Sequence, residues 1–250
     1  MNTDNPVNFV TDAISSCEST GLLLEEFGKH NNDPYLKINF EEKPDLSAGW
    51  LRLWKSIDGS PLDRMVYLHL SAGPALTQLL FIFGKPESTF PHMHLQLVNL
   101  PGEGLVYNID ILPRIDPIED FEWFNRVYRQ LRRPYRKATQ EEQNSCAQAP
   151  ANPALAVLMS PWGIASQRTD NDELLRVEPQ LNEYMKHYLN LTSQSDWSSK
   201  DPSAQKQRDR KHLNLFLSDE LDPRAWNGVY RVVGKKMGMQ IKHIMLNPLN

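Results

Sequence analysis

The chain has 250 residues, 40% of them hydrophobic and 23% charged, with a formal net charge of −4. That is a soluble globular composition, long enough for one large domain or two small ones. The acidic balance argues against a nucleic-acid binder, no apolar run reaches the ~18 residues of a membrane span, and the start MNTDNPVNF lacks the basic-then-apolar pattern of a secretory signal.

Taken in order, residues 7–28 read as an N-terminal helix carrying Leu22, Leu23 and Leu24. A strand-rich block follows. Residues 50–57 alternate and end at an Asp58-Gly59 turn. Residues 65–71 alternate Val66, Leu68 and Leu70 against Tyr67, His69 and Ser71, and residues 76–83 are nearly all apolar, as a strand covered on both faces would be. Residues 92–98 and 105–112 complete five or six strands, and the short links at 72–74 and 101–104 favour antiparallel pairing. Helical periodicity then takes over. Residues 118–131 are amphipathic, with Phe121, Phe124 and Tyr128 on one side. Residues 138–153 read as a loop, 155–165 as a late strand, 172–191 as a helix and 193–203 as a loop. Asp222-Pro223 is an N-cap followed by proline at the first helical position. The helix it opens runs to about Gly234, and a second segment runs to about Leu246. The expectation is a single α+β domain over residues 1–250, with a central antiparallel sheet flanked by helices.

Cys17 and Cys146 are too few and too distant for a disulfide framework or a metal knuckle, which fits a reducing, cytoplasmic setting. The stretch with most chemistry is TFPHMHLQLV, residues 89–98. A strand sends alternate side chains to opposite faces, so His92, His94 and Gln96 share one face and Met93, Leu95 and Leu97 the other. Three readings stay open for the polar face: a ligand pocket, ordinary structural histidines, or a metal site. The metal reading lacks a carboxylate at a suitable distance after the His-x-His pair, since Glu103 falls too late, although Asp110 from the next strand is a candidate. Asn108 shares a face with Asp110, which also lies near Arg114 and can cap or bridge there. Asp219, Glu220 and Asp222 form an acidic cluster that either caps the last helix or turns a carboxyl inward. Residues 126–137 hold six basic side chains and no acid, and residues 206–212 and 235–243 are basic too. These are solvated helix faces or a docking surface for an acidic partner. Phosphate-loop, dinucleotide and nucleophile-elbow motifs are absent.

These segments, in their order, resemble the ferredoxin-dependent bilin reductases and the related red chlorophyll catabolite reductase over most of residues 35–246. The similar stretches are RMVYLHLS (64–71), LLFIFGKPE (79–87), Phe90-Pro91 with HMHLQLV, Asn108-Ile109-Asp110-Ile111-Leu112, Met159-Ser160-Pro161-Trp162-Gly163, and Leu221-Asp222-Pro223-Arg224 through Val233-Gly234. Arg208-Asp209 and residues 218–222 resemble runs of the chlorophyll-catabolite branch. Gln96 stands where the family's proton-donating carboxylate falls, and His69 where a pocket acid often does.

The resemblance implies a three-layer α/β/α sandwich holding a linear tetrapyrrole between the sheet and the C-terminal helices. No cofactor is bound in such proteins, and reduced ferredoxin delivers single electrons through radical intermediates. Setting the residues of this chain in that frame, His94 and Asp222 lead as proton donors, with His69 and His92 next. Gln96, Asn108, Asp110, Tyr67, Asp219 and Glu220 are expected to contact the substrate, and the basic stretches an acidic ferredoxin or the substrate propionates. The setting is the cytoplasm, or a plastid stroma in a eukaryote. A bilin-binding protein without catalysis and a His-x-His metalloenzyme are the alternatives.

Overall fold

The computed structural model describes residues 8–26, 34–140, 153–194 and 196–247. Eight antiparallel strands form one sheet: β1 (Leu23–Glu26), β2 (Leu36–Asn39), β3 (Ser47–Ser56), β4 (Leu62–Ala72), β5 (Ala75–Gly84), β6 (His92–Leu100), β7 (Gly104–Leu112) and β8 (Ile164–Thr169). The order is β1-β3-β4-β5-β6-β7-β8, with β2 also paired to β3. The alternation from residue 50 to 112 is therefore a meander of successive hairpins, which is what its short links require.

Each face of the sheet has its own core. Met65, Leu80, Ile82, Met93, Leu95, Leu97, Tyr107 and Ile109 pack against α1 (Phe9–Ser19), α2 (Phe121–Tyr128), α3 (Arg132–Gln140) and α5 (Asn171–Thr192). Val66, Leu68, Phe81, Phe83, Leu51 and Leu53 pack against α6 (Pro202–Phe216) and α7 (Pro223–Leu246). This is the expected three-layer sandwich, and β5 contributes to both cores, as its apolar run demands.

Asp222 caps α7 by accepting a hydrogen bond from Ala225 N at 3.0 Å, with Pro223 in the first turn. The helix breaks at Gly234 (φ 79°, ψ 158°), as the sequence reading places it. That conformation favours glycine, and a Cβ there would lie 2.5 Å from the Glu41 carboxylate.

Four sequence expectations are corrected. The helix expected over residues 7–28 stops at Ser19, where Gly21 (φ 67°) turns the chain into β1. The helix expected over residues 118–131 begins only at Phe121, capped by Asp120, and leaves Ile118 in solvent. The strand placed at 155–165 is instead a short helix, α4 (Pro153–Ala156), and a turn, with β8 starting after the Ser-Pro-Trp-Gly segment. The loop over 138–153 gives way to α3 as far as Gln140, and its remainder to residue 152 lies outside the described residues, as does Cys146. α6 has no counterpart in the sequence reading.

Candidate functional site

The meander's register decides which side chains meet. His94 sits opposite Phe81 on β5 and Asp110 on β7, Gln96 opposite Leu79 and Asn108, and His92 opposite Leu112. Directly paired residues share a face. His92, His94, Gln96, Asn108 and Asp110 therefore all lie on the face beneath α6 and α7, as expected. Tyr67 and His69 do not join them. His94 aligns through Phe81 with Val66, which places Tyr67 and His69 on the opposite face. There the His69 ring stacks on Trp50 (centroids 4.0 Å apart), and the Tyr67 hydroxyl accepts from Gln78 Nε2 at 2.8 Å. The structure therefore places these two residues apart from His94, on the other face of the sheet.

His92 is closed at both ends. Its Nδ1 accepts from Gly84 N at 3.0 Å, so Nε2 carries the proton and donates to Asp209 Oδ1 at 2.7 Å. Asp209 also pairs with Arg114 Nε at 3.0 Å, and Arg114 donates to the carbonyls of Phe90 and Pro86. All three side chains are buried. Burial and the Arg114 charge hold the His92 pKa down to about 4, against the pull of Asp209. Burial pushes the Asp209 carboxyl up, but His92 and Arg114 more than offset it and hold it below the usual range. Asp110 does not bridge to Arg114 as the sequence reading allowed. This network ties α6 to the sheet, and both ring nitrogens of His92 are engaged within it.

His94 is different. Its Nδ1 accepts from Asn108 Nδ2 at 2.9 Å, so the neutral ring carries its proton on Nε2, which has no partner among the described residues. The ring stacks on Phe81 (4.5 Å) and meets the edge of Phe216 on α6 (5.2 Å). Burial alone lowers its pKa to about 3. Asn108 Oδ1 is buried without a partner, a condition costing about 1–3 kcal/mol when nothing fills it. Beyond His94, toward the β6–β7 hairpin, the same face becomes half-buried at Leu79, Gln96, Val98 and Val106. The site is thus sealed at His92 and opens past His94.

Asp110 is fully buried, and its carboxylate accepts from Ser160 N at 2.8 Å and Ser160 Oγ at 2.5 Å. Burial raises its pKa to about 7. The acidic cluster does not turn inward as a group. Asp219 is exposed and holds the Tyr230 hydroxyl (2.9 Å) and Lys242, Glu220 is exposed, and Asp222 Oδ1 caps α7. The sequence reading noted Asp209 and Ser160 within family-like runs without giving them roles, named Arg114 only as a neighbour of Asp110, and did not single out Phe81 or Phe216. Among the described residues, no group of three or more His, Cys, Asp and Glu side chains could hold a metal ion. His92 explains this locally, because both of its nitrogens are already engaged. No helix among the described residues is long and apolar enough to cross a membrane.

No protein-family model matches the chain, and no curated protein matches it by sequence. Among solved structures, the chain is similar to phytochromobilin synthase from tomato, crystallised in complex with biliverdin, with a TM-score of 0.73 at 10% identity. The match covers 94% of this chain and 80% of the tomato protein. The chain therefore shares its fold with that protein, as the sequence resemblance leads one to expect. The α/β/α sandwich is common to the two chains even though nine residues in ten differ.

Proposed function

We propose that the chain binds an open-chain tetrapyrrole between the sheet and helices α6 and α7, and reduces it with electrons from reduced ferredoxin. The observation that carries this reading is the fold shared along 94% of the chain with a protein crystallised with biliverdin. The face beneath α6 and α7 supplies what such a ligand needs. Phe81, Phe216 and Leu79 offer apolar walls to a flat conjugated guest. The His94 Nε2–H is a free donor for a lactam oxygen, and Asn108 Oδ1 a free acceptor for a pyrrole N–H. Gln96 lies at the open side, where it can do either.

Reduction of one double bond takes two electrons from ferredoxin and two protons. A neutral imidazole in a dry site is a poor acid, so His94 binds first as a hydrogen-bond donor. It becomes a proton donor only as added electrons make the ligand anionic and raise its own proton affinity. Asp222, at the start of α7 near the open side, is the second candidate donor. Arg129, Arg132, Arg133 and Arg136 are exposed on one side of the molecule and suit an acidic electron carrier.

The test is an absorption spectrum of the chain mixed anaerobically with biliverdin, before and after reduced ferredoxin. A shift on mixing, followed by loss of the long-wavelength band, supports the reductase. An unchanged spectrum with biliverdin and with a linear chlorophyll catabolite overturns it. A shift without reduction supports a bilin-binding protein. That second reading draws on Gln96 standing where the related enzymes carry an acid and on His69 lying across the sheet.

A further inference from the structure

Asp110 is a buried acid that the reading above does not use. It is fully buried on the face of His94 and directly opposite it across the β6–β7 pair. The hydrogen bonds to its carboxylate come from neutral groups, Ser160 N, Ser160 Oγ and the Ile111 backbone. The segment from Ser160 to Gly163 lies flat on it, and a Cβ at Gly163 would stand 3.3 Å from the carboxyl carbon. Its charge bears on Tyr128 from α2 and Tyr184 from α5, and His94 is its cross-strand partner on β6. The two phenols are held protonated by burial, with Asp110 adding to the effect. Burial raises its pKa, and the hydrogen bonds from Ser160 and Ile111 pull the other way. Around His94 stand Asn108, Phe81 and Phe216, with His212 beyond Phe216 and His92 one rung along the strand. Neither neighbouring histidine carries charge at neutral pH, since burial lowers both.

We propose that Asp110 is a positioning residue that sets the proton affinity of His94 through the sheet, without touching the ligand. With Asp110 protonated, His94 stays neutral. With Asp110 ionised, a negative charge on the cross-strand partner in a dry layer favours the imidazolium. The buried carboxyl titrates near neutrality, so the change falls within the working range of the protein. For the ligand this inference rests on the tetrapyrrole reading. The electrostatic link between the two side chains does not.

The experiment follows the His94 ring resonances by NMR against pH in the full chain, with His94→Gln for assignment. The His94 signals are expected to show an inflection near neutral pH that is lost in Asp110→Asn. In Ser160→Ala, which removes a hydrogen bond favouring the carboxylate, the inflection is expected to move to higher pH. An inflection that survives Asp110→Asn, or no inflection in the parent chain, overturns the proposal. If Asp110→Asn fails to fold, Ser160→Ala decides alone, and an unmoved inflection is the negative result. Biliverdin affinity at pH 6 and pH 8 forms a separate arm. A ratio that differs several-fold in the parent and is flat in Asp110→Asn supports the link at the ligand, and equal ratios in both count against it. Absence of any biliverdin binding overturns the tetrapyrrole reading and leaves the NMR outcome standing.

Discussion

His92 and His94 project from the same face of β6, two residues apart, and both are buried. Their surroundings are opposite. At His92 every ring nitrogen is bonded, and the ring links a backbone amide to a carboxylate that an arginine neutralises. At His94 one nitrogen is bonded, the other is free, and the amide that orients the ring has an unsatisfied oxygen of its own. A closed polar network in a core fixes geometry, whereas an incomplete one leaves a position for an ordered water or a ligand to complete. On the proposed reading, the two ends of β6 divide the work between holding α6 and meeting a ligand.

The largest expected effect lies at the closed end. Asp209→Asn leaves the Arg114 guanidinium buried without its carboxylate, and removing one partner of a buried pair costs about 3–5 kcal/mol. Urea denaturation is expected to show that loss, together with release of α6. A loss below about 1 kcal/mol would mean that this network does not anchor the helix.

Acid provides the next contrast. His92 and His94 are held at about 4 and about 3, below the ordinary 6.5. The unfolded chain then binds those protons more readily, so their contribution to stability is complete above about 6.5 and is lost as pH falls toward 4 and then 3. Asp110 acts in the reverse sense. Its folded pKa of about 7 lies above the ordinary 3.8, so its contribution is complete below 3.8 and is lost as pH rises to about 7. Each amounts to a few kcal/mol at one pKa unit per 1.36 kcal/mol. Denaturation midpoints against pH should peak at about 6.5, and Asp110→Asn should remove the fall above that pH and steepen the fall below it.

At the open end, His94→Ala removes one neutral hydrogen bond to the ligand. Biliverdin affinity is expected to fall about fivefold, following the ~1 kcal/mol worth of such a bond. Full affinity in this variant would place the ligand elsewhere.

The strands of this site were legible because a two-residue alternation bounded by short turns leaves little choice, and the capped, broken α7 was legible from Asp222-Pro223 and Gly234. α6 was not. Its buried positions are Gln205, Asp209, Leu213 and Phe216, so half of its inward stripe is polar and the apolar period that marks a helix is missing. The polar half is the network with Arg114 and His92, which exists only once distant segments meet. The turn at 160–163 was mistaken for strand because a short apolar run carries no period of its own. Its purpose, covering Asp110, is likewise visible only across the fold.

The smallest expected effects test the two faces of the sheet. Alternation along β4 shows that Tyr67 and His69 share a face, but it cannot say whether that face is the one His94 uses. Only the pairing of His94 with Phe81 and of Phe81 with Val66 decides it. His69→Ala gives up the stack on Trp50, worth about 0.5–1.5 kcal/mol, and should leave biliverdin affinity and its pH dependence as in the parent. The comparison with His94→Ala is internal, because both variants remove an imidazole from the central sheet. A drop in ligand affinity for His69→Ala as large as that for His94→Ala would place the guest on the α1 and α5 side and reverse the assignment of faces. A thermal shift of a few degrees with unchanged binding would confine His69 to packing.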